Sequence, residues 1–138
     1  MGQRQLPKQA LIALHRYFIW ADRMRVHFET ALTPDSPMLH GRLDIEPFLY
    51  MSIWYAGMYV VIEGWRKLGL HDAGVDQMLE SPNVELLRRY RNGVFHFQPD
   101  YFAERFAGFF GSPDGPRWIR ELRAAFSRYF LDSMKGIT

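Results

Sequence analysis

The chain has no cysteine, which excludes disulfides and thiolate-held metal centres and makes a cytoplasmic setting the expectation. Lysine is scarce: it occurs only at Lys8, Lys67 and Lys135, and all other fixed positive charge is arginine. A large excess of one charge is also missing, because the formal net charge is only +2. That imbalance does not announce nucleic-acid binding, although the pI is about 9.0. No stretch reads as a membrane span. The uncharged run from Pro47 to Ile62 is shorter than the roughly 20 residues a bilayer core requires, and Tyr, Ser, Trp and Gly interrupt it. Met1 to Lys8 lacks the layout of a secretory signal. Strand-like alternation, internal repeats, low-complexity runs and linkers are absent too, so a single domain over residues 1–138 is expected.

What is present points to a helical globule. The residues are 48% hydrophobic, which speaks against a disordered chain. Aromatics make up 16%, and such side chains dominate cores and homodimer interfaces. A first helix is expected from about Pro7 to Leu32, where Leu11, Leu14 and Phe18 recur at three- and four-residue steps beside a row of Ile12, Ile19 and Val26. Thr33-Pro34-Asp35-Ser36-Pro37 stops it. Asp44 can cap a second helix that continues to about Leu68, with Glu46 near its positive end and Arg66 and Lys67 near its negative end. Gly69 is its natural stop. This helix is apolar almost all round, so it belongs in the interior, and Ala56-Gly57 would let another backbone come close. A short element, Gly74 to Glu80, precedes a third main helix from Pro82 to Asn92, ending near Gly93. A helical piece from Tyr101 to Phe110 and a last helix from Arg117 to Met134 complete an all-α bundle of four main helices with short extra ones.

The segment Leu87 to Phe97 carries the chemistry. Val84, Leu87, Arg91 and Val94 share one stripe of the third helix, so Arg91 stands where a structural helix would carry Leu or Met. A charge there must pair or face a cleft. Glu63, near the end of the uncharged helix, is the expected partner, and an Arg91–Glu63 pair that only orients helices is the competing reading. Arginine clamps phosphate and keeps its proton; histidine moves a proton near neutral pH. Arg91 and His96 held at one phosphodiester would approach a minimal metal-free ribonuclease. On a continuous helix, however, five residues separate two side chains by about 140°. Either Gly93 ends or bends the helix, or a two-fold dimer brings two copies of the segment together. An arginine five to seven residues before a histidine also occurs at Arg66/His71 and Arg89/His96, so spacing alone is weak and context decides.

Arg91-Asn92-Gly93-Val94-Phe95-His96, at the end of the third main helix of an all-α chain, resembles the signature of the HEPN superfamily. That resemblance implies a HEPN-like helical domain and a metal-independent endoribonuclease without cofactor. Its composite site would form in a homodimer, in a toxin–antitoxin or phage-defence setting with an antitoxin or other partner protein. It further implies that the 2′-hydroxyl of RNA attacks the adjacent phosphate, leaving a 2′,3′-cyclic phosphate. His96 would be general base or acid, Arg91 would hold the phosphate, and Asn92 would orient either one or donate to the phosphate. Arg88 and Arg89 would steer the RNA backbone, or else form an ordinary solvated face. One toxin subgroup carries a tyrosine two residues after the histidine; Gln98 stands there, with Tyr101 a distant substitute. Non-catalytic members imply the alternative of a nucleotide-, RNA- or protein-binding module, and a helical scaffold is a third reading.

Other chemistries fare worse. His15, Asp22 and His27 share the first helix without forming a tight ligand cluster, and no His-Glu-x-x-His or Glu-x-x-His occurs. A metal site assembled from distant helices stays a lesser alternative. A nucleophile elbow and a phosphate-cradling glycine loop are both missing. Trp54, Tyr55, Tyr59 and Trp65 read as core and dimer contact rather than a ligand box.

Overall fold

A computed structural model describes residues 8–32, 45–100 and 103–135. Six α-helices and no strand occur among them: α1 Lys8–Ala31, α2 Ile45–Lys67, α3 Ala73–Met78, α4 Asn83–Phe95, α5 Glu104–Phe110 and α6 Gly115–Met134. The four long ones form a helical bundle and α3 and α5 are short connectors, as the apolar periodicity indicates. None of the described helices is long and apolar enough to cross a membrane. The proposed stops at Thr33 to Pro37, the Asp44 cap, and Tyr101 lie outside the described residues.

Helix α2 is the axle. Trp54, Met58, Val61, Ile62 and Trp65 are each at most 1% exposed, because α1 packs along one side of it and α4 along another. The close approach to α1 depends on a missing side chain. A Cβ on Gly57 would lie 2.9 Å from Ala21 Cβ, and one on Gly64 would collide with Leu14, one heptad along both helices. Gly69 ends α2 in the left-handed region at φ 64°. The Gly69 N–H reaches Arg66 O at 3.1 Å and the Leu70 N–H reaches Trp65 O at 3.2 Å, which satisfies carbonyls the helix leaves open.

Helix α4 begins where the Asn83 N–H donates to Ser81 Oγ at 3.0 Å. It ends two residues past Gly93, at Phe95, and Gly93 is a buried interior position. A Cβ there would sit 3.0 Å from Phe106 Cε1 and 3.1 Å from Arg105 Cβ. This glycine therefore serves the packing of α5 against α4 rather than a helix end. The seam between α2 and α4 is closed by a buried hydrogen bond, Ser52 Oγ to Tyr90 Oη at 2.8 Å. Helices α1 and α6 are clamped by ion pairs: Asp22 accepts from Arg25 Nε at 2.8 Å and from Arg123 Nε at 2.9 Å. Glu29 pairs with Arg25 and with Arg120.

Candidate functional site

Arg91 rises from the α4 stripe onto the edge of α2. Its Nη1 donates to Glu63 Oε1 at 3.1 Å. Its Nε donates to Asn92 Oδ1 at 2.9 Å, and its guanidinium carbon lies 4.9 Å from the centre of the Tyr59 ring. These three partners fix the guanidinium plane, while its Nη2 has no hydrogen-bond partner among the described residues. The side chain is 21% exposed and that of Glu63 is 44% exposed. The pair is therefore a half-solvated one, of a kind worth about 0–1 kcal/mol. Arg91 is oriented, but weakly held.

Tyr59 is the residue that reading the sequence did not connect to the site. It sits one helical turn before Glu63, and that i, i+4 spacing was the available signal. Burial, then the Glu63 charge, pushes its phenol above the usual range, against the pull of Arg91. It stays protonated at neutral pH and serves as a surface for the guanidinium rather than as a base. Trp54, Tyr55 and Trp65 are each at most 5% exposed, so these rings belong to the core of the chain itself.

His96 follows the last residue of α4 with φ −119° and ψ 128°. Its own N–H still makes the helical bond to Asn92 O, so His96 starts about 140° round α4 from Arg91, and the chain leaves helical geometry only from this residue onward. The turn away comes three residues later than Gly93. The imidazole is exposed and makes no hydrogen bond among the described residues. Its backbone is fixed from both sides: its N–H donates to Asn92 O at 3.0 Å, and Gln98 Nε2 donates to its carbonyl at 2.8 Å. Asn92 is thus bonded to both halves of the motif, to Arg91 through its side chain and to His96 through its carbonyl. No direct hydrogen bond joins Arg91 and His96.

Arg88 and Arg89 diverge. Arg88 Nε donates to Glu85 one turn back at 2.9 Å, on the Arg91 side of α4. Arg89 turns towards α5, where its Nη2 meets Glu104 Oε1 at 3.3 Å. Both are substantially exposed and both are paired, so neither presents an uncompensated charge. Around His96 the surface is aromatic: Phe95 is 59% and Phe97 91% exposed. Phe95 also lines a groove between α1 and α2.

No family model, curated protein or solved structure matches the chain.

Proposed function

We propose that this chain is a HEPN-like, metal-independent endoribonuclease that works as a homodimer. The observation that supports it best is Asn92. Its side chain orients the Arg91 guanidinium and its carbonyl takes the last helical N–H, that of His96, beside an Nη2 with no hydrogen-bond partner among the described residues and an exposed imidazole. A phosphate has only the weak Glu63 pair to displace, and it can take two parallel donors from the arginine fork.

In this reading His96 removes the proton from a ribose 2′-hydroxyl. The 2′-oxygen attacks phosphorus and the bond to the 5′-oxygen breaks. The products are a 2′,3′-cyclic phosphate and a 5′-hydroxyl, and Arg91 offsets the charge that develops on the non-bridging oxygens. The leaving oxygen needs a proton that the same imidazole cannot supply in the same step. His96 of a second copy would supply it. The exposed Phe95 and Phe97 place apolar surface at the helix end that has to meet its mate.

Cleavage of single-stranded RNA in EDTA tests this, comparing the native chain with His96→Ala and Arg91→Ala after confirming that each folds. Cyclic-phosphate ends are expected, with losses of about 10²–10⁴-fold for His96→Ala and about 10²–10³-fold for Arg91→Ala. Full activity in both variants would sink the assignment. One observation favours a non-catalytic RNA-binding module instead: Arg88, Arg89 and Arg91 all already meet carboxylates. That reading expects retained RNA binding with no cleavage by any variant.

A further inference from the structure

Between α1 and α2 lies a groove of about 350 Å³. Tyr17 and Trp20 form one wall, Ile53 and Val60 the other, and Phe95 closes an end. Its volume lies in the range of small-molecule sites, and its lining is almost wholly apolar, as theirs is. Three of these aromatics are unusually open for their size: Tyr17 is 39%, Trp20 56% and Phe95 59% exposed. Clustered exposure of this kind marks a binding surface.

Charge indicates what would bind. No carboxylate lines the groove, and its one charged lining residue is Arg23. Arg25, on the same helix, is taken by Asp22 and Glu29, but Arg23 has no carboxylate or hydrogen-bond partner among the described residues. Arg16, outside the lining, stacks its guanidinium on two of the lining rings, 5.1 Å from the Tyr17 centre and 5.0 Å from that of Trp20. A second copy seated here would bring the guanidiniums of both chains into one interface without an acidic lining residue to offset them. We propose that the groove binds a small amphipathic anion, with an alkyl or aromatic body between the Trp20 and Val60 walls and a carboxylate or sulfonate head on Arg23. This site shares Phe95 with the dimer face of the nuclease reading but uses none of Arg91, Asn92 and His96.

The test uses dodecanoate, dodecanol and dodecyltrimethylammonium, the two ions below their micelle concentrations and the alcohol below its solubility limit, titrated calorimetrically into the intact chain. One equivalent of dodecanoate is expected to bind about tenfold or more tightly than the neutral and cationic analogues, the increment of one charge-assisted contact. Arg23→Glu is expected to reverse the preference towards the cation. Val60→Phe, from a half-buried position, fills the groove and is expected to abolish binding. Trp20→Ala, at an exposed site that tolerates truncation, gives an independent loss. Equal binding of all three amphiphiles would overturn the proposal, as would binding that survives both Val60→Phe and Trp20→Ala. A native oligomer that Val60→Phe dissociates would also overturn it, because the groove would then be an interface between copies.

Discussion

The hydrogen bond between Ser52 and Tyr90 offers a direct measure of how tightly the site-bearing helix is fixed to the core. The two hydroxyls are 2.8 Å apart, with Ser52 7% and Tyr90 0% exposed. Burial pushes the Tyr90 phenol far above its ordinary range, so it keeps its proton throughout the stable pH range. Its ring is held separately, 5.1 Å from Phe106 and 5.5 Å from Phe110 between centres. Tyr90→Phe therefore removes the bond and little else. The stranded Ser52 hydroxyl can turn back to a carbonyl of its own helix, which keeps the loss near 1 kcal/mol. Ser52→Ala strands a phenol with no such recourse, and about 1–3 kcal/mol is expected. The double variant strands nothing, so it should be less destabilised than the sum by about 1 kcal/mol or more. Urea unfolding of the four chains reads this directly, because 1 kcal/mol moves a midpoint by about 0.3–1 M. Losses that add within about 0.3 kcal/mol would show that the two hydroxyls are not coupled, and the seam would have to be held by ring packing alone.

Asp22→Asn is expected to cost about 1 kcal/mol at pH 7, since the carboxylate is partly solvated and its ion pairs are screened. Burial alone would raise the Asp22 pKa; the hydrogen bonds and charges of Arg25 and Arg123 outweigh it and hold it low. A lowered folded-state value means the contribution is full above the unfolded value of about 3.9 and fades as pH falls through the folded one. Urea midpoints at pH 7 and pH 3 should therefore converge in the variant relative to the native chain, and an unchanged difference would refute the linkage. At Gly93, alanine balances about 1 kcal/mol of helix preference against about 1–3 kcal/mol of crowding on Phe106 and Arg105. Gly93→Leu should lose at least 2–3 kcal/mol or so in the same assay, and a leucine variant as stable as the native chain would contradict the packing role.

Most of the fold was legible because apolar periodicity and glycine stops agree along the chain. Helix α2 was placed within a few residues for that reason, with Gly69 adopting the left-handed conformation its position suggested. Gly93 shows where the same logic fails. A glycine that ends a helix and one that admits a neighbouring helix look alike in sequence, and only the passage of Phe106 beside it separates them. The Arg91–Glu63 pair was legible, since an arginine on an apolar stripe and an acid ending an uncharged helix each call for a partner. The Tyr59 platform was not drawn from the sequence, because an aromatic at a core-like spacing announces burial and not what rests on its outer edge. The groove was hidden for a related reason: periodicity tells which residues face outward, not how far two helices splay.

The energetics of Arg91 separate a functional from a purely structural role. Its pair with a half-exposed Glu63 is worth about 0–1 kcal/mol, and its contact with Tyr59 adds about 0.5–1 kcal/mol. A leucine at this position of the stripe would recover part of the roughly 1.5–3 kcal/mol that full burial of such a side chain provides. It would also leave Glu63 solvated and without a burial penalty. Stability alone thus gives no preference for arginine, and Arg91→Leu should unfold within about 1 kcal/mol of the native chain. If it does so while RNA cleavage is lost, what the guanidinium serves lies outside the fold, at the phosphate its free Nη2 can meet. A loss above about 2 kcal/mol would instead make Arg91 a pin between α2 and α4, and the weak-pair argument for an arginine poised to release Glu63 would fail with it.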